Sequence, residues 1–199
     1  MKNLVTLLLL SFCALACSTP TKRVDPDKDD DIGGTGIDSA DVRTMADSMA
    51  RSLLNTPTLF ANGTPRVVIK DVANNTRFQI DRSLLVRKLR TQLQQNAQGK
   101  IVFLSREDMD SVLAEREAKR SGAVGVTTDP ATGEPKLGTV AGTDFFLTGT
   151  ISGISKTSGK DASDYITASF RLVNAETTEL VWENDYDVKK TGASGIIYR

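Results

Sequence analysis

The side chains that could do chemistry are few, and the missing ones are informative. Histidine is absent from all 199 residues, which removes Ser-His-Asp and Cys-His nucleophile pairs and the zinc sites built on imidazole. The two cysteines, Cys13 and Cys17, both lie at the N-terminal edge, so no disulfide staples the body of the chain and no thiol nucleophile sits in it. Ser-Lys or paired-carboxylate chemistry remains open. Asp108 with Asp110, and Asp161 with Asp164, are the available carboxylate pairs, but only proximity in solvated segments marks them. Gly122, Gly125 and Gly133 match neither a P-loop nor a dinucleotide fingerprint. Asp25, Asp27 and Asp29 have the spacing of a calcium loop, yet Gly33 and Ile37 do not fit the positions of that motif's glycine and bidentate glutamate. Lys+Arg and Asp+Glu number 25 each, a formal net charge of +0, which creates no long-range field for nucleic acid. The expectation from these residues is a protein with no cofactor, no metal and no nucleic-acid partner.

Cys17 is the residue with a chemistry of its own. Residues 1–16 carry one basic residue, Lys2, then an apolar run from Leu4 to Leu10 with Phe12, then the small residues Ala14 and Ala16. That is the pattern of a secretory signal peptide, too short to span a bilayer, which needs about 20 apolar residues. Ala14-Leu15-Ala16-Cys17 resembles a bacterial lipobox, in which the cysteine is acylated and becomes the mature N-terminus. The usual pattern has leucine three residues before the cysteine, where Ala14 stands here. Acyl chains gain about 0.8 kcal/mol per buried CH₂ and would hold the protein on a membrane. Ser18, rather than aspartate, after the cysteine implies an outer-membrane destination facing the periplasm.

The elements follow in order. Residues 17–37 form the lipidated N-terminus and an acidic, Gly- and Pro-bearing linker, expected to be a solvated tether of at most ~65 Å from Ser18 to Gly36. Val42, Met45, Ala46, Met49 and Leu53 recur at helical spacing, with Asp38 or Ser39 as cap and Pro57 as stop. Arg66 to Val72 reads as a buried strand, with Asn74-Asn75-Thr76 turning the chain out of it. Asp81 caps a helix presenting Leu85, Leu89 and Leu93 and ending at Gly99. Lys100 to Leu104 is a second strand, and Ser105 caps a third helix with Met109, Val112 and Leu113 inward. Residues 121–135 form an exposed loop, followed by a helical turn over Leu137 to Ala141. From Asp144 to Lys189 three β-rich runs make an antiparallel meander, with Ile166, Phe170 and Leu172 on its buried face. The fold class is α/β (α+β): a β-α-β N-terminal half, a C-terminal three-strand meander and helices on one face. The domain spans 38–190, and 191–199 is an unassigned tail in which Ile196, Ile197 and Tyr198 could add a strand.

Assembled, these segments resemble the LpoB family. The resemblance rests on Val68 to Thr76, on Leu85 to Ser105, on Gly142-Thr143-Asp144-Phe145-Phe146-Leu147-Thr148-Gly149-Thr150-Ile151, and on Leu172 to Trp182. It covers Arg66 to Val188. The chain departs from the family in its short acidic tether, where members reaching an inner-membrane synthase carry long Pro-rich ones. Thr178 also stands where the family has glycine after Thr177. The resemblance implies a non-catalytic, outer-membrane lipoprotein, with no catalytic residues and no small-molecule substrate, that binds and activates a bifunctional, class A penicillin-binding protein. Curli-secretion-channel lipoproteins share similar segments, so an envelope assembly or secretion lipoprotein is the alternative. An activator need only bind an active conformation of its enzyme more tightly than an inactive one. Asn75, Arg77 and Phe78 are the candidate partner-binding residues, because an Arg beside an aromatic in a loop is typical of interface anchors. Arg82 and Arg87 on the following helix could extend the patch.

Overall fold

The computed structural model describes residues 21–28 and 34–193. Residues 1–16, Cys17, the middle of the acidic linker and Ile196, Ile197 and Tyr198 lie outside the described residues.

Helix α1, Ser39–Leu54, opens with a reciprocal capping box. Asp41 donates its backbone N–H to Asp38 Oδ1 at 2.9 Å, and Asp38 donates its own to Asp41 Oδ2 at 3.0 Å. The apolar periodicity then buries Met45, Ala46, Met49, Ala50 and Leu53. Pro57 begins a single 3₁₀ turn, Pro57–Phe60, that buries Leu59. Strand β1, Arg66–Asn75, runs three residues past the expected Val72. Helix α2, Arg82–Ala97, is capped by Asp81, whose Oδ1 accepts from the Leu84 N–H at 3.0 Å, and buries Leu85, Leu89, Leu93 and Ala97. Strand β2 is only Val102–Phe103 and lies parallel to β1.

Strands β3, Phe145–Ser158, β4, Asp161–Asn174, and β5, Leu180–Ala193, form the expected meander. The sheet order is β2-β1-β3-β4-β5, with β1 parallel to both its neighbours and a bulge in β1 between Ile69 and Val72. Ile166, Phe170 and Leu172 face one core together with Leu147, Ile151 and Ala168, and α1 and α2 cover that face. Trp182 on β5 donates its indole N–H to Ser52 Oγ of α1 at 3.0 Å, fastening helix to sheet.

Four details differ from the sequence reading. Ser105 does not cap the third helix, α3, Met109–Arg120, which starts after Asp108; its hydroxyl donates instead to Asp108 Oδ2 at 2.5 Å and Glu107 Oε1 at 3.2 Å. Val112 and Leu113 point to solvent, 43% and 49% exposed, and α3 buries none of its residues. The cause is occupancy: α1 and α2 already take the apolar face of the sheet. Residues 137–141 have no regular secondary structure where a helical turn was expected, and the Gly138 and Ala141 carbonyls accept from the Arg116 and Arg106 side chains. Finally, Thr191, Gly192 and Ala193 belong to β5 and not to a tail.

The β4–β5 turn holds a strained residue. Thr178 has φ 64°, a left-handed conformation that costs a β-branched side chain about 1 kcal/mol or more. Asn174 stabilises the turn by accepting the Glu176 and Thr177 N–H groups on Oδ1 at 2.9 and 3.0 Å. Thr178→Gly is therefore expected to raise thermal stability by roughly 2–4 °C, since relief of strain outweighs the added freedom of the unfolded chain. A melting curve that stays put or falls would mean the turn is not strained.

Candidate functional site

The end of β1 builds the site. Asn74 organises it: its Oδ1 accepts the Thr76 N–H at 3.0 Å and the Thr76 hydroxyl at 2.8 Å, while its Nδ2 donates to the Phe78 carbonyl at 2.8 Å. This side-chain turn sends Asn75 and Arg77 outward and Phe78 inward. Asn75 is exposed at the strand end. Phe78 is buried, and a Cβ on Gly36 would lie 3.2 Å from its ring, so the ring is walled in by the end of the linker. Phe78 is accordingly a floor beneath the site and not an exposed anchor.

Arg77 lies over that floor, its guanidinium carbon 4.7 Å from the Phe78 ring centroid, and reaches across to β4. Its Nε donates to Asp164 Oδ1 at 3.0 Å and its Nη2 to Oδ2 at 2.6 Å, the bidentate fork that arginine offers a carboxylate. Ser155 on β3 donates to the same Oδ1, and Arg77 Nη2 also donates to Thr35 Oγ1 at 3.4 Å. Asp164 is 1% exposed and the Arg77 side chain 39% exposed. Burial by itself pushes the Asp164 carboxyl up, but hydrogen bonds from Arg77, Ser155 and Thr35 with the arginine's charge outweigh it, so its pKa lies below the ordinary value. Arg77 is raised, chiefly by the hydrogen bond to Asp164.

A second charged cluster lies where β5 meets the start of α1. Lys190 Nζ donates to Asp38 Oδ2 and Asp41 Oδ2, both at 2.6 Å, so the carboxylates of the capping box also hold the strand. Burial lowers the Lys190 pKa, and the two carboxylates more than reverse this, leaving it raised.

These contacts correct the expectation of a solvated tether up to Gly36. Thr35 is 5% exposed beneath Arg77, and Asp27 forms an ion pair with Arg43 of α1. The linker's last residues are part of the folded body.

The structure does not join the catalytic candidates. Asp164 is committed to Arg77, whereas Asp161 is exposed at the hairpin. Asp108 is engaged with Ser105. Arg82 and Arg87 are exposed on α2. Among the described residues, no group of three or more His, Cys, Asp or Glu could hold a metal ion, and no helix is long and apolar enough to cross a membrane.

Asp164 enters the sequence reading as half of a solvated carboxylate pair with Asp161, and its pairing with Arg77 is missed, although a signal was present. It falls in phase with Ala162, Ile166, Ala168, Phe170 and Leu172, so a carboxylate occupied a core-face position of β4 and required a cationic partner.

The fold is thus a five-stranded mixed sheet covered on one face by two helices, fastened by its own ion pairs, with a polar rim at the end of β1. The chain belongs to the LpoB family: the model described as peptidoglycan-synthase activator LpoB matches residues 41–188. It is thereby a non-catalytic activator of peptidoglycan synthesis, not an enzyme. Among solved structures it is similar to the LpoB C-terminal domain from Escherichia coli, at 17% identity, covering 75% of this chain and 99% of that one, TM-score 0.48. It is also similar to the LpoB C-terminal domain from Salmonella enterica, at 18% identity, covering 72% and 98%, TM-score 0.40. The PelC dodecamer from Paraburkholderia phytofirmans is similar at 14% identity, covering 68% and 77%, TM-score 0.31. No curated protein matches the sequence.

Proposed function

We propose that the chain is an outer-membrane lipoprotein, acylated at Cys17 and facing the periplasm, that binds a bifunctional class A penicillin-binding protein and raises its activity. One observation carries this reading: the match of residues 41–188 to the peptidoglycan-synthase activator family. The signal-peptide pattern of residues 1–16 and the lipobox-like Ala14-Leu15-Ala16-Cys17 support the membrane anchor. In this reading the partner surface is the end of β1, with Asn75 and the exposed flank of Arg77 as contacts and Phe78 as support from below.

Activation requires only a difference in affinity. A lipoprotein that prefers the active conformation of the synthase by about 1.4 kcal/mol shifts the ratio of the two states tenfold without touching substrate. The proposed domain body takes in Thr35 and Gly36 at the end of the linker and all of β5 through Ala193.

The test is to add the purified full chain to a purified class A synthase and follow both binding and glycan polymerisation. Wild type should bind and raise the rate. Asn75→Ala, which removes an exposed side chain, should leave the fold intact and weaken binding by about 5- to 10-fold. Saturating amounts that neither bind a class A synthase nor change its rate would overturn the activator reading. Unchanged binding by Asn75→Ala would remove Asn75 from the interface.

A further inference from the structure

The outer edge of β5 carries an interaction surface with its own code. β5 is 14 residues long and terminates the sheet. Among the described residues no other segment supplies it with backbone hydrogen bonds. A strand of that length with an open row of N–H and C=O groups is a template for another strand.

The register says which side chains accompany that open row. Ser158 and Asp161 close a two-residue turn, so they form a pair that exchanges both backbone hydrogen bonds. Counting by twos from there, odd-numbered residues of β4 bond to β3 and even-numbered residues bond to β5. Even residues of β4 pair with even residues of β5, as in Ile166↔Val188 and Asp164↔Lys190. The odd residues of β5 therefore turn their N–H and C=O groups outward. They are also the exposed ones: Glu183, Asp185, Asp187, Lys189 and Thr191.

We propose that β5 pairs antiparallel with β5 of a second copy of this chain, Asp187 of each opposite Lys189 of the other. In this register Asp187 meets Lys189 twice across the two-fold axis, Asp185 meets Thr191 twice, and Val188 meets Val188 on the helix-covered side. Sliding by two residues one way sets Asp187 against Asp187. Sliding by two the other way sets Lys189 against Lys189. A slip of one residue sets odd residues of one copy against even residues of the other, whose N–H and C=O groups are already bonded to β4, so no ladder forms. Like charges alone would keep an edge strand solvated; the change of sign between Asp187 and Lys189 is what makes one antiparallel register attractive. The second copy fits better than an unrelated strand because the sequence is its own complement about Val188. The product is a continuous ten-stranded sheet with α1 and α2 of both copies on one side, leaving Asn75 and Arg77 accessible on each copy.

The test reads mass alone, with no synthase present, so it is independent of the activator reading. The full chain, purified from membranes in detergent micelles, should sediment as a dimer at sub-millimolar concentration. Asp187→Lys and Lys189→Asp each replace two opposite-charge contacts by two like-charge contacts, and each should weaken self-association by about tenfold or more. Mixing the two variants restores both opposite-charge contacts, so the mixture should recover the dimer. Val188→Cys should give a disulfide-linked dimer on mild oxidation, because directly opposed residues of a non-hydrogen-bonded pair lie close together. A wild type that remains monomeric would overturn the proposal, as would single variants that dimerise like wild type or a mixture that stays monomeric.

Discussion

Arg77→Met is expected to destabilise the fold by about 3 kcal/mol, and Asp164→Asn by only about 1 kcal/mol, although the two side chains share one ion pair. The asymmetry comes from solvent. Removing the arginine's charge strands a carboxylate that is 1% exposed, with only Ser155 and Thr35 left to satisfy it. Removing the carboxylate's charge leaves a guanidinium that is 39% exposed and can turn outward. Methionine retains packing over Phe78, so the loss reports the charge and not the side-chain volume. Urea titration of the two variants checks the order of the costs. Equal costs would mean that water reaches Asp164.

The same pair sets an acid response with opposite signs in the two proteins. In the wild type the folded-state pKa of Asp164 is depressed, so its contribution is present above the unfolded value of about 3.9 and is lost as pH falls through the depressed folded value. In Arg77→Met the burial remains and the cation does not, so the folded-state pKa moves above the unfolded one. Its penalty then applies at neutral pH and fades as the carboxyl takes up a proton. The stability gap between wild type and variant should therefore narrow from pH 7 to pH 4. A gap that is constant over that range would show that the ion pair does not set it.

Much of this architecture was legible because period and capping acted together. Asp38 and Asp81 stand before apolar runs of helical spacing, and each became an N-cap. Ile166, Phe170 and Leu172 alternate over a length that only a strand accommodates, and all three are buried. The third helix was different. Met109, Val112 and Leu113 have the right spacing, but amphipathicity states only that a face seeks cover and not that cover exists. Whether α3 found a place depended on how much sheet α1 and α2 had already taken, which is a tertiary fact.

Part of the site was hidden for a related reason. The types of Asn75, Arg77 and Phe78 suggested recognition, yet the inward turn of Phe78 depends on Asn74 and Gly36, four and 42 positions away. The partner of Arg77 lies 87 positions away in sequence. Long-range charge pairing leaves no local periodic trace. Its one sign was a carboxylate on the wrong face of β4.

Gly149→Val is expected to cost about 4 kcal/mol, and Gly149→Ala about 2–3 kcal/mol, through collision with a single aromatic ring. Gly149 on β3 lies opposite Phe170 on β4 and beside Val72 on β1, at the centre of the sheet. A Cβ there would stand 2.6 and 2.7 Å from two carbons of the Phe170 ring and 3.2 Å from the Ser169 carbonyl oxygen. Phe170 is 1% exposed and close-packed, so the ring cannot swing aside without displacing core neighbours. Glycine is present because the ring occupies the space a side chain would need, not because the backbone demands an unusual conformation. That distinction is measurable. Phe170→Leu alone should cost about 1–2 kcal/mol through the smaller side chain. Combined with Gly149→Ala it should recover part of the alanine's cost, so that the double variant is more stable than the sum of the singles predicts by at least about 1 kcal/mol. Chemical denaturation of the four proteins decides it. Strict additivity would place the obstacle in the Ser169 carbonyl, which no side-chain change relieves. Because the sheet positions Asn75 and Arg77, the alanine variant's synthase binding should fall only with its folded fraction, and a loss seen in fully folded protein would reassign Gly149 to the contact surface itself.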